Sequence, residues 1–129
     1  MKNINKLIIL GFYLANLILI IAYIYPGSIV GCYVYDDCLI QPQITKDFII
    51  SSNHFYALTA LSTLGIFTYR NTKKIKFLII YLLLFSIILE LLHIIIPRRA
   101  FEWGDLFGNI LGVIFVIIIY KIKGKYVQN

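Results

Sequence analysis

Acidic side chains are scarce in this sequence. Six Asp and Glu are spread over 129 residues, and charged residues of all kinds make up 14%. Soluble domains carry about 25%, so the shortfall excludes an ordinary water-facing surface. There are two cysteines and two histidines, and no histidine lies near the cysteines, which argues against a cysteine–histidine metal site. A dense aspartate motif of the kind used for two-metal phosphoryl transfer is missing, and Ser51 and Ser52 adjoin His54 without a recognised nucleophile geometry. No repeat, long disordered tail or low-complexity linker interrupts the chain, which has the length of one domain, residues 1–129.

What is present in quantity is hydrocarbon: 60% of the residues are hydrophobic, and the formal net charge is +6. The basic residues punctuate apolar runs instead of lining a polar stripe. That is a pattern of membrane topology, and no nucleic-acid partner is expected. Four apolar segments stand out, at about Leu7–Tyr25, Phe48–Tyr69, Phe77–Ile96 and Trp103–Tyr120. A helix needs about 20 residues to cross the hydrocarbon core, and backbone in lipid must satisfy its own hydrogen bonds. The expected fold class is therefore all-α: a polytopic membrane protein with four transmembrane helices.

Charge sets the orientation. Lys2, Lys6, Arg70, Lys73, Lys74, Lys76, Lys121, Lys123 and Lys125 fall on one side, against Lys46, Arg98 and Arg99 on the other. The positive-inside rule then places both termini in the cytoplasm. The outer loop spans about residues 26–47. Cys32 and Cys38 lie in it, where a disulfide can persist; two reduced cysteines near the interface are the alternative. A further reading takes "IVGC" at Ile29–Cys32 as a loose lipobox, with the first span as a signal peptide. The uncleaved span is favoured, because "YPGS" separates the apolar run from the would-be box.

Polar residues gather at the outer ends of the last three spans. Glu90 and His93, three apart in "ELLH", share a helix face, with Pro97 on the same side. Glu90 lies about 9 Å inside the outer end at 1.5 Å rise per residue. An ionised carboxylate at the bilayer centre costs about 2.5–3.5 kcal/mol on the insertion scale. It therefore needs a partner: His54, His93, Arg98 or Arg99. Asp105 and Asn109 are four apart at the start of the fourth span, and Gly112 continues their face. Gly108 and Gly112 form a small-xxx-small surface for close packing, within the protomer, against a partner membrane protein, or against a second copy. Each residue also has a plain reading. Asp105 caps a helix, His54 is a satisfied interface histidine, Trp103, Phe101 and Tyr56 are belt aromatics, and the arginines are solvated loop charges.

In order along the chain, His54–Phe55, Glu90, Pro97, Arg99, then Asp105, Asn109 and Gly112 resemble the pattern of the VanZ-like family of small bacterial membrane proteins. The resemblance covers about residues 46–115. Arg98 stands where a glycine is common, His93 stands at the usual glutamine, and Ile50 and Ser51 replace an acidic–basic lead-in. The resemblance implies a single VanZ-like domain in the bacterial cytoplasmic membrane, with a site shared by these residues. It also implies a link to glycopeptide susceptibility, after the teicoplanin-resistance protein that gives the family its name. It implies a fold and a site more than a reaction.

Three chemistries fit. Arg98 and Arg99 would hold a phosphate of an anionic lipid or a lipid-linked glycan precursor, with Asp105, Asn109, His93 and Trp103 completing the binding site. His54, Glu90 and Asp105 are the candidate catalytic acids and bases if the site is an enzyme's. A metal site on Glu90 and His93 requires His54 and Asp105 to converge there, and the arginines' charge disfavours it, so no metal and no cofactor are expected. A structural or partner-binding membrane module needs none of these.

Overall fold

In a computed structural model of the protein, the structure describes residues 2–126, with side chains from 6 to 124; the side chains of Lys2 and Lys125 lie outside that range. The fold is all-α. Its helices are α1 (Lys2–Ile24), the short α2 (Ile29–Val34), α3 (Ser52–Tyr69), α4 (Ile75–Leu92) and α5 (Trp103–Tyr126). Three stretches among the described residues are long and apolar enough to cross a membrane: Lys6–Ile24, Ile75–Leu92 and Trp103–Gly124. Despite their isoleucine content these runs are helical, as a backbone without water requires.

Contacts along the helices give their directions. Tyr13 meets Tyr69, hydroxyl to hydroxyl at 2.8 Å, while Tyr23 meets His54 at 3.1 Å, so α1 and α3 are antiparallel. The tight turn at 70–74 returns the chain into α4. Gly108 packs beside Ser51 and Gly112 beside Phe55, so α5 runs parallel to α3. The Tyr120 hydroxyl donates to the Arg70 carbonyl at 3.4 Å. The start of α1, the 70–74 turn and the end of α5 therefore share one end of the bundle. Residues 25–51 and 93–102 share the other.

The core is a spine of Leu58, Leu61, Leu82 and Val113, all fully buried, continued by Phe12, Leu78 and Val116. On each helix the inward stripe follows the 3.6-residue period. On α1 it reads Phe12, Asn16, Tyr23; on α4 it reads Leu82, Ser86, Leu89, Glu90. Outward lie Leu7, Leu14, Ile18, Phe77, Leu84 and Ile118, all exposed. Polar groups inside and hydrocarbon outside suit a lipid surrounding.

Several boundaries differ from the sequence expectation. The helix within the second segment begins at Ser52, not near Phe48. Asp47 Oδ1 accepts the Ser52 N–H at 2.7 Å and fixes the start there, leaving Phe48 exposed. α4 stops at Leu92, four residues short of the expected end. Pro97 disfavours helix in the residue before it, and the chain turns through residues 93–98. His93 thus caps α4 instead of lying within it, and Pro97 is exposed, away from Glu90's surroundings. The loop between α1 and α3 contains α2, and Cys32 and Cys38 are joined by a disulfide across it. With its sulfur so engaged, Cys32 has no thiol for lipid attachment.

Candidate functional site

Four elements bring polar side chains to the loop-bearing end of the bundle. α3 contributes His54, α4 contributes Glu90 and the capping His93, α5 contributes Asp105 and Asn109, and α1 contributes Tyr23. Glu90 and Asn109 are fully buried, and His54, His93 and Tyr23 are nearly so. The two glycines of α5 make this possible. A Cβ on Gly108 would lie 2.7 Å from the Ser51 carbonyl oxygen, and one on Gly112 would lie 2.6 Å from that of Phe55. The backbones of α3 and α5 therefore approach closely enough to set Asp105 against His54.

Asn109 fixes the direction of one hydrogen-bond chain. Its Nδ2 donates to the Ser86 carbonyl at 3.3 Å, so its Oδ1 accepts the Tyr23 hydroxyl proton at 2.5 Å. Tyr23 has one proton to give. Its oxygen must therefore accept at its 3.1 Å contact with His54 Nδ1, which makes Nδ1 the protonated ring nitrogen. His54 Nε2 faces Asp105 Oδ2 at 3.3 Å.

A second chain surrounds Glu90. His93 Nε2 lies 3.2 Å from the Tyr23 carbonyl, which can only accept, so Nε2 donates. His93 Nδ1 then meets Glu90 Oε1 at 3.3 Å with one proton shared between them. Oε1 also accepts the backbone N–H of Glu102 at 3.1 Å. The other oxygen, Oε2, is buried, lies 3.7 Å from His54 Nδ1 and has no hydrogen-bond partner among the described residues. Such an atom bears its full desolvation cost without compensation.

The two arginines part company. Arg99 turns inward, its Nη2 donating to the Ala22 carbonyl at 2.9 Å and its Nε to the Tyr25 carbonyl at 3.4 Å. It thereby caps the carbonyl end of α1, where a cation suits the helix dipole. Burial lowers the Arg99 guanidinium from its ordinary value, against the raising influence of Tyr23, Asp105 and Glu90; it remains charged all the same. Arg98 is exposed, with φ at 60°. Of the two arginines expected to act together, only Arg99 lies against the cluster. Trp103 also stays outside the cluster, stacked on Phe107 at 6.0 Å and exposed. Gly108 and Gly112 spend their small-residue face on α3, within the protomer.

A cavity of about 240 Å³ opens beside the cluster. Arg99, His54, His93 and Tyr23 contribute polar lining, and Leu19, Ile29, Val30 and Ala57 apolar lining. Gln41 and Asn53 stand at the loop side. Asn53 anchors that loop, donating to the Pro42 carbonyl at 2.7 Å and accepting the Ile44 N–H at 2.9 Å. Tyr23, Asn53 and Asp47 escape a sequence reading that looks for charge in apolar runs. The one signal that points to Tyr23 is spacing: Asn16 and Tyr23 are seven apart and fall on one helical face with Phe12.

One donor atom from each of His54, Glu90 and Asp105 lies within 4.8 Å of the others. The sequence assigns no metal ligands, and a site on Glu90 and His93 requires His54 and Asp105 to converge there; His54 and Asp105 do gather with Glu90, but His93 is not part of that group. No family model, curated protein or solved structure matches the chain.

Proposed function

We propose that this is a multi-pass protein of the bacterial cytoplasmic membrane that binds an anionic lipid, or a lipid-linked precursor of the cell envelope, at the outer leaflet. In this reading all four long helices span, with both termini cytoplasmic and the site of VanZ-like type. α3 is the least apolar of the four, but it lies at the centre of the bundle, where its neighbours shield its polar groups from lipid. The shared end of the α1 start, the 70–74 turn and the α5 end carries Lys6, Arg70, Lys73, Lys74, Lys76, Lys121 and Lys123, as a cytoplasmic face should.

The observation that carries the ligand class is the cavity. Its lining combines one cation, Arg99, and hydrogen-bonding side chains with aliphatic ones. Its 240 Å³ falls below the ~300–1,000 Å³ of drug-sized ligand sites, so it suits a headgroup whose chains remain in the bilayer. Arg99 uses two N–H groups on α1 carbonyls, and three of the five on a guanidinium remain for phosphate oxygens. An effect on glycopeptide susceptibility would follow from binding a wall precursor.

The test is lipid analysis and native mass spectrometry of protein purified in mild detergent. An enriched phospholipid or polyprenyl-linked species is expected. It should be lost in Ala57→Trp, which enlarges the apolar lining, and in Arg99→Gln, and retained in Arg98→Gln. Absence of any enriched species from folded wild-type protein rejects the proposal and leaves a structural or partner-binding module. A second reading, an enzyme on the same substrates, is favoured by the acid–base groups His54, Glu90 and Asp105 beside the cavity. Turnover of the retained lipid that disappears in His54→Gln, with lipid retention intact, would select it.

A further inference from the structure

The geometry points to a divalent metal site on His54 Nε2, Asp105 and Glu90 Oε2, on the α5 side of His54. Three observations converge on it. Hydrogen-bond direction fixes the first: with Nδ1–H committed to the Tyr23 oxygen, Nε2 presents a lone pair to Asp105 Oδ2 at 3.3 Å. Two acceptors at that distance are bridged either by a proton or by a metal cation. Two atoms each about 2.1 Å from one ion, at the tetrahedral angle, lie about 3.4 Å apart. The pair already has the span of two ligands of a single ion.

The second observation is Glu90 Oε2, fully buried and without a hydrogen-bond partner among the described residues. Its sibling Oε1 is held by the Glu102 N–H and His93, so the carboxylate is oriented and one oxygen is left over. One donor atom from each of the three residues lies within 4.8 Å of the others; Oε2 stands 3.7 Å from Nδ1 of the same ring, so a rotation of the carboxylate toward the Nε2 side would complete a common coordination sphere. The third is the support around the histidine. Metal-bound imidazoles almost always donate their second N–H to an oxygen, and Tyr23, itself held by Asn109, supplies that acceptor here.

The arginines oppose the ion less than their sequence position suggests. Arg98 is exposed, and Arg99 is tied to the carbonyls of α1. One imidazole and two carboxylates suit Zn²⁺ or Mn²⁺, and three protein ligands leave a coordination position open. Asp105, the most exposed of the three at 16% of its side chain, is the side from which an ion enters. The site stands independently of the lipid reading, because an ion binds these three residues whether or not the cavity holds a headgroup.

The experiment uses the full chain, purified in detergent with a histidine-free affinity tag, stripped with chelator and reloaded with Zn²⁺ or Mn²⁺ alone. Elemental analysis should find about one ion per chain, and the ion should raise the thermal midpoint of the stripped protein. Asp105→Asn, Glu90→Gln and His54→Gln should each weaken binding at least tenfold, while Arg98→Ala binds as wild type. Cobalt loading should give a visible absorption band that His54→Gln abolishes. Wild-type protein that stays folded yet takes up neither ion, or takes them up equally after Asp105→Asn with Glu90→Gln, overturns the site. If the ligand variants fail to fold, the wild-type stoichiometry and thermal shift decide alone. Lipid analysis of the same preparations separates the readings: ion without lipid rejects only the headgroup proposal, and lipid without ion rejects only this one.

Discussion

At Arg98 the backbone takes φ of 60°, a left-handed conformation that costs a residue with a Cβ about 1–2 kcal/mol and glycine almost nothing. Its side chain is exposed, so little visible packing offsets the cost. Arg98→Gly should therefore keep or raise thermal stability in detergent, and Arg98→Val should lower it by about 1 kcal/mol or more. Equal losses in both would show that the guanidinium holds the turn. Arg98 also shows what charge alone hides: two adjacent arginines read as a clamp, yet the turn sends one outward and one inward. The buried members of the cluster were legible for the opposite reason. Glu90, His54, Asp105 and Asn109 are conspicuous because apolar runs surround them. Tyr23 was not, since it is one of ten tyrosines and a tyrosine at a span end looks like a belt residue.

Helix existence followed from apolar length, and helix ends did not. The start of α3 depends on Asp47 and the end of α4 on the turn that precedes Pro97, and hydropathy weighs neither. The small residues of α5 were legible as a packing face but not as to partner, because spacing cannot distinguish a neighbouring helix from a second copy. Their contact with α3 carries a prediction for this pair. Gly108→Val and Gly112→Val each drive a side chain into a backbone carbonyl that already lies 2.7 or 2.6 Å from the Cβ position. Each should cost about 1–3 kcal/mol, read as a lowered thermal midpoint or lowered yield of monodisperse protein. Gly124→Val, with open space around its Cβ, should leave both unchanged. If it falls with the others, helix propensity and not the α3–α5 approach is responsible.

For the whole molecule the orientation is directly measurable. A reporter fused at the C-terminus should be active only in the cytoplasm. One inserted near Asp36 should be active only outside, and the reverse result would invert the proposed topology. Protein from the membrane should carry both Cys32 and Cys38 oxidised, seen as resistance to alkylation until reductant is added. Glu90 ties these scales together. Its carboxyl group is a rigid plane, and one edge is fastened to the Glu102 amide, twelve residues further along the chain. The segment that follows α4 also carries Arg99, which donates to the carbonyls of Ala22 and Tyr25 at the end of α1. The carboxylate is therefore a buckle that fastens the cluster to the rim of the bundle, and an ion on its free edge, as proposed, would tighten it.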